Sequence, residues 1–148
     1  MANSRQRTNH SKMIKTTHKM KLYTLMPNNI VPFYKNELEA YKNNLQKEDL
    51  QIAWYHLERA HIIGQKYPYE HTFVHWKMLQ FGIKTKSLKE VLGQVPRLLV
   101  GGVKSFVGHI PAGNTGGANV PPLKSMEIPN DLQKIISMQN INSTSLTI

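Results

Sequence analysis

Apolar residues recur at helical spacing in several successive segments of the chain. In FYKNELEAYKNNLQ they lie three or four residues apart, on one face of a helix: Tyr34, Leu38, Tyr41 and Leu45. The same period continues downstream and predicts four helices, at residues 34–46, 50–65, 69–82 and 87–104. Because the loops between them are short, helices that are neighbours in sequence should pack antiparallel as a small four-helix bundle.

The fourth predicted helix carries a long apolar face. We expect that face to line the core through Leu88, Val91, Leu92, Val95, Leu98, Leu99 and Val103. Ser87, with Glu90 three residues later, fits a capping box at the start of this helix. Pro96 should kink it, and Gly82 is suited to cap the preceding helix.

The helical period stops after Gly108. GHIPAGNTGGANVPPLKSMEIPNDL is rich in Gly, Pro and Asn, which predicts an irregular arm over residues 108–130 that lies on the bundle. Its expected apolar anchors are Ile110, Val120, Leu123 and Ile128. Pro129 can begin a short last helix, which would bury Leu132, Ile135 and Ile136. The predicted fold is therefore all-α, with a helical domain over residues 33–136 and a loose polar tail over 137–148.

Positive charge is concentrated at the start of the chain. Seven of the 19 Lys and Arg residues lie between Met1 and Lys35, a segment that contains none of the nine Asp and Glu residues. Residues 1–32 are therefore predicted to be a basic, disordered leader. The alternatives are weak, non-specific contact of residues 1–35 with nucleic acid or an anionic surface, and an organelle transit segment.

The length and amino-acid composition limit the classes of protein to which this chain can belong. The 148 residues suit one domain. The lack of cysteine excludes a disulfide scaffold, a thiolate zinc site and a cysteine nucleophile. We find neither an apolar run of transmembrane length nor a secretory signal pattern. These observations predict a cytoplasmic protein without a transmembrane segment.

Four of the seven histidines fall within HLERAHIIGQKYPYEHTFVHW. Glu58 and His61 are three residues apart and share one face of the second helix, and His71 and His75 are four apart on the third. An antiparallel hairpin could bring both pairs together. Together they would be a plausible ligand set for a divalent ion such as Zn(II) or Fe(II). His56 points to a different side of its helix and is left out.

Other interpretations of these residues stay open. Buried histidines often hydrogen-bond a carboxylate or carbonyl in a core, and they also serve as general acids or bases. Glu-x-x-His occurs once, whereas di-iron carboxylate bundles carry it twice. A homodimer would supply the second copy, although nothing in the sequence demands one.

Polar residues beside the apolar face of the fourth helix form a second candidate site. Arg97 could grip a carboxylate or phosphate. The candidate cofactor-binding residues are Gln94, Arg97 and Asn114. Alternatively, Gln94 and Arg97 bond carbonyls of the arm and hold it in place. GHIPAGNT imitates a phosphate-binding loop, but Asn114 replaces its lysine and a helix precedes it, so we reject nucleotide hydrolysis.

Several blocks in this order resemble a bacterial family, the domain of unknown function 3703. They are LERAHIIGQ, EHTFVHWKMLQFG, KEVLGQVPRLLVGG, GHIPAGNTGG and MEIPNDL, within residues 34–132. The resemblance implies a shared helical fold and these candidate positions: Glu58, Arg59, His61, Gln65, His71, His75, Gln94, Arg97, Asn114 and Thr115. Glu127 departs from the family pattern.

Three functional hypotheses follow, of which the third is the non-specific nucleic-acid contact through the basic leader described above. The first is metal-ion binding by Glu58, His61, His71 and His75, with any catalysis left open. The second is a non-catalytic interaction module in which the histidines are structural.

Overall fold

The computed structural model describes residues 25–107 and 111–138, and the side chains of residues 100–107 are not considered. Within these ranges the chain forms helices and no strand. The helices are α1 (Val31–Gln46), α2 (Leu50–Gly64), α3 (Pro68–Lys84), α4 (Leu88–Val107) and α5 (Asn130–Ser137). The predicted all-helical bundle is confirmed. The predictions for residues 1–24, 108–110 and 139–148 and for the side chain of Val103 concern parts of the chain outside this description.

Local hydrogen bonds and packing set the helix ends, and two of the predictions about these ends are wrong. The Ser87 hydroxyl accepts a hydrogen bond from the Glu90 backbone N–H (3.4 Å), as expected for an N-cap. Glu90 does not complete a capping box, because its carboxylate accepts the backbone N–H of Ala118 instead. Gly82 does not end α3, which continues to Lys84. A Cβ on Gly82 would lie 3.1 Å from the Cβ of Glu90, so its small size serves close packing against α4.

The core surrounds α2, which packs against α1, α3 and α5. The largest fully buried apolar side chains are Tyr67, Ile30, Leu57, Ile63, Met78, Leu132 and Val74. Ile135 and Ile136 of α5 pack against this cluster, as predicted. Burial of these side chains is the main stabilising term of the fold.

Helix α4 exposes much of the face that was predicted to be buried. Leu88, Leu92 and Leu99 are exposed, whereas Gln94 is fully buried. The predicted core face is therefore wrong for four of its members, whereas two others, Val91 and Leu98, are half-buried: the four are Leu88, Leu92, Val95 and Leu99. The reason is that the polar side of α4 faces the arm, whose backbone groups need hydrogen-bond partners.

The arm is attached through polar contacts more than through the predicted apolar anchors. Ile128 packs against the core, but Leu123 is 61% exposed, so that anchor is wrong. Arg97 Nη2 donates to the carbonyl oxygens of Gly117 (3.1 Å) and Val120 (2.7 Å). This bears out the alternative in which Arg97 fixes the arm.

Arg59 joins three helices. Its Nε donates to Glu37 of α1 (2.7 Å) and its Nη2 to Asp131 of α5 (2.6 Å). His56 Nδ1 lies 2.7 Å from the other oxygen of Glu37. Arg59 therefore has a structural role in holding the helices together.

Glu37→Gln is expected to lower the free energy of unfolding by about 1–3 kcal/mol, because the partly buried Arg59 guanidinium loses one of its two charged partners. Asp131→Asn should lower it less, since Asp131 is 58% exposed. Urea denaturation of both variants measures the difference. Equal losses of unfolding free energy in the two variants would show that the contact of Arg59 with Glu37 stabilises the fold no more than its contact with Asp131.

None of the described helices is long and apolar enough to cross a membrane.

Candidate metal centre

Three histidines from two helices converge on one point. His61 lies near the end of α2, and His71 and His75 are one turn apart on α3. The Nε2 atoms of His61 and His71 are 2.9 Å apart, and His75 Nε2 lies 3.2 Å from each of them. The sequence prediction that these three rings meet is confirmed by this geometry.

The size of the triangle matches the spacing of nitrogen ligands around a transition-metal ion. With a Zn–N distance of about 2.0–2.1 Å, two ligand nitrogens lie about 3.3 Å apart in a tetrahedral site and about 2.9 Å apart in an octahedral one. The three distances here, 2.9, 3.2 and 3.2 Å, fall within that interval. His61, His71 and His75 could therefore hold a transition-metal ion through these three nitrogens.

Hydrogen bonds on the far side of two rings fix which nitrogen carries the proton. His61 Nδ1 donates to the Asn114 carbonyl oxygen (2.8 Å), and His75 Nδ1 donates to Gln94 Oε1 (2.7 Å). The orientation of the Gln94 amide is set because its Nε2 donates to the Gly116 carbonyl (2.9 Å). Metal-binding histidines usually make such contacts through the nitrogen that does not bind the ion.

This arrangement leaves two unshared electron pairs facing each other. With both Nδ1 atoms protonated, Nε2 of neutral His61 and Nε2 of neutral His75 are acceptors, only 3.2 Å apart. His71 Nε2–H can donate a hydrogen bond to this pair. A single hydrogen shared between two acceptors makes weaker bonds than one hydrogen for each acceptor. A cation bound by all three nitrogens would satisfy them at once.

Burial keeps the rings neutral. His61 and His75 are 3% and 4% exposed, and His71 is partly buried. Burial lowers the pKa of His71 to about 3 and that of His75 to about 4, and the neighbouring His75 ring contributes to the shift at His71. The pKa of His61 lies well below its usual 6.5, mainly because the ring is buried and to a lesser extent because His71 and His75 are adjacent. Neutral imidazole is the form that binds a metal ion.

We expect the metal-free protein to lose stability as the pH falls below about 6.5. Above that pH the rings are neutral in both the folded and the unfolded chain. Below it the unfolded rings bind protons, whereas the folded pKa values of His71 and His75 stay near 3 and 4. Each such ring then lowers the free energy of unfolding by about 1.4 kcal/mol per pH unit. Urea denaturation in the presence of a chelator, between about pH 7.5 and 4.5, measures the slope. His71→Ala should flatten it, and an unchanged slope in that variant would contradict this expectation.

The arm covers the His61 ring. Gly116 lies directly on it, because a Cβ at this position would be 2.6 Å from the ring. Its φ of +82° is also a conformation that favours glycine. The Asn114 side chain holds the arm in place, since it donates to the carbonyls of Pro121 (2.9 Å) and Lys124 (2.8 Å) and accepts from Gly116 N (3.0 Å).

The candidate cofactor-binding residues therefore have identified partners within the protein. Gln94 orients His75, Arg97 holds the arm, and Asn114 both shapes the arm and accepts from His61. Binding of a separate cofactor by these three residues stays a prediction. Two contacts were not predicted from the sequence: that of Glu90 with the arm, and the packing of Gly116 on His61. The glycine-rich sequence GNTGG was the feature that could have indicated the close packing of Gly116.

Glu58 is not brought into the histidine group. Among the described residues, the group of ligand atoms within 4.8 Å of one another consists of His61, His71 and His75. Burial raises the pKa of the Glu58 carboxyl, opposed by a hydrogen bond with Trp54. The Thr115 hydroxyl approaches the same carboxyl group without reaching good hydrogen-bond geometry.

Gln65, a further position implied by the resemblance, lies at the edge of the site. Gln65 Nε2 donates weakly to the Pro111 carbonyl (3.4 Å) at the start of the described part of the arm. His71 Nδ1 is buried without a hydrogen-bond partner. His71 is therefore the least constrained of the three rings.

Comparison with known families supports the resemblance. The profile of a family described as "Protein of unknown function (DUF3703)" matches residues 28–136. This range contains all three histidines of the cluster, together with Gln94 and Asn114. No curated protein and no solved structure matches the chain.

Proposed function

Since this chain belongs to the DUF3703 family, for which no function is described, we propose a function from the geometry of its site: it binds a divalent transition-metal ion through His61, His71 and His75. Zn(II) and Fe(II) are the leading candidates, because both accept imidazole ligands. Neutral rings and nitrogen ligands do not favour Mg(II) or Ca(II), which prefer oxygen.

The convergence of three Nε2 atoms within 3.2 Å of one another is the observation that carries this proposal. A purely structural cluster would be expected to place a donor opposite each acceptor. Here the outer hydrogen bonds of His61 and His75 turn two acceptors toward each other instead. A bound ion removes that conflict, which favours the metal site over structural histidines.

Three protein ligands leave room for a further ligand on the ion. Structural zinc sites usually have four protein ligands, whereas zinc sites that react with substrates have three and a water molecule. Glu58 lies outside the histidine group, so the proposed site has an open position. We therefore infer a site at which the ion can take an exogenous ligand, and we assign no reaction to it.

Metal analysis of protein purified without an affinity tag tests the proposal. After exposure to Zn(II) and removal of free ion, we expect about one zinc per chain. Zinc at about 100 times its dissociation constant should stabilise the fold by about 2.7 kcal/mol, which raises the melting temperature by roughly 10 °C or more. Mg(II) at the same concentration is the control and should have no effect. A folded chain that retains no Zn(II) or Fe(II) would refute the proposal.

A further inference from the structure

Helix α4 exposes an apolar row that the described part of the chain does not cover. Its members are Leu88 (69% exposed), Leu92 (63%), Val95 (41%) and Leu99 (75%). They are separated by four, three and four residues, which places them on one side of the helix. This alternating spacing is that of the seam along which two helices pack in a coiled coil.

The row cannot turn inward, because the opposite side of α4 is already occupied. Gln94 is fully buried against His75, and Arg97 holds the carbonyls of the arm. A Cβ on Gly93 would lie 2.4 Å from the Cβ of Ala118, so the arm also packs directly on the α4 backbone. The apolar row is therefore fixed on the outer surface by the same contacts that build the histidine site.

We propose that this row is the contact surface of a homodimer, in which α4 packs antiparallel against α4 of a second copy. A two-fold axis requires a surface that is complementary to itself. The row meets that requirement, because an axis between Leu92 and Val95 pairs Leu92 with the partner's Val95. The same axis pairs Leu88 with the partner's Leu99. Each apolar side chain thus meets another apolar side chain.

A second exposed row on α3 enlarges the apolar surface. Tyr69 (73% exposed), Trp76 (48%) and Ile83 (61%) are seven residues apart and lie on one side of α3, and α3 packs beside α4. With about 100 Å² exposed on each of these seven side chains, the two rows approach the roughly 800 Å² that one partner contributes to a stable interface. Single apolar patches on monomers are usually smaller.

The positions of the exposed lysines favour an antiparallel over a parallel pair of α4 helices. Lys84, Lys86 and Lys89 are exposed at the end of α4 that carries Leu88. A parallel pair would bring the two lysine groups together, whereas an antiparallel pair separates them by about the 17 Å length of the row. The antiparallel arrangement therefore keeps the two groups of Lys84, Lys86 and Lys89 apart.

Sedimentation equilibrium of the full chain tests the proposal, with a chelator present so that metal binding has no influence. We expect a dimer that dissociates on dilution. Leu92→Glu should make the chain monomeric without loss of helical circular dichroism, because the residue is exposed. Leu123→Glu is the matched control, since Leu123 is 61% exposed but lies on the arm, and it should remain dimeric. A wild-type chain that is monomeric at high concentration overturns the proposal, as does a Leu92→Glu variant that still dimerises.

Cysteine cross-linking tests the register, because the chain has no native cysteine. A mixture of Leu92→Cys and Val95→Cys chains should form mixed disulfide dimers under mild oxidation. Leu88→Cys alone should cross-link at least tenfold less, because the two copies of residue 88 lie at opposite ends of the seam. Efficient cross-linking of Leu88→Cys with itself would refute the antiparallel register.

Discussion

His75→Ala is expected to abolish tight metal binding and to remove the stabilisation that zinc gives. The variant keeps only two nitrogens of the proposed site, and loss of one of three protein ligands should weaken zinc affinity by several orders of magnitude. It also leaves the Gln94 carbonyl oxygen without its donor in a fully buried position. Titration of the purified variant with Zn(II), followed by calorimetry and thermal denaturation, measures both effects.

His56→Ala is the matched control for this experiment. His56 is also on α2, but its ring contacts Glu37 and lies outside the histidine group. This variant is expected to lose some stability and to keep the zinc affinity of the wild type. If His75→Ala binds zinc as tightly as His56→Ala does, His75 is not a ligand.

Gln94→Ala should weaken zinc binding by about 10–100-fold, the usual effect of removing a group that orients a metal-binding histidine. The substitution leaves His75 Nδ1 without an acceptor and the Gly116 carbonyl without a donor. Because both groups are buried, the free energy of unfolding should also fall by about 2–4 kcal/mol. Competition with a zinc chelator and urea denaturation measure the two changes.

Gln80→Ala provides the comparison, because Gln80 is an exposed glutamine on α3. It should alter neither zinc affinity nor, beyond about 0.5 kcal/mol, the stability of the chain. Gln94→Glu separates the two roles of Gln94, since it keeps an acceptor for His75 but loses the donor to Gly116. Zinc affinity close to wild type in Gln94→Ala would mean that the orientation of His75 does not depend on this residue.

The sequence predicts the number and approximate bounds of the helices because apolar spacing is a local property. It also places His71 and His75 on one face, since residues four apart in a helix are neighbours. That His61 joins them depends on how the hairpin of α2 and α3 closes, which the short loop permits but does not determine. The role of Glu58 was less predictable, because its distance from the cluster depends on side-chain direction and not on spacing.

Helix α4 shows where reasoning from local pattern fails. Its apolar face was predicted to be buried, since burial of leucine is ordinarily favourable. The structure instead buries Gln94, because this amide has four partners at the site: His75, Glu90, the Met78 sulfur and the Gly116 carbonyl. Such a network is assembled from segments far apart in sequence. No periodicity in α4 alone can reveal it.

X-ray absorption at the zinc K-edge of the zinc-loaded, untagged protein tests the central claim most directly. We expect three imidazole nitrogens at about 2.0–2.1 Å from the ion, with one further light ligand. His75→Ala, loaded with excess zinc, should lose one imidazole contribution. A zinc shell without imidazole, or a spectrum that is unchanged by His75→Ala, would contradict binding of the ion by His61, His71 and His75.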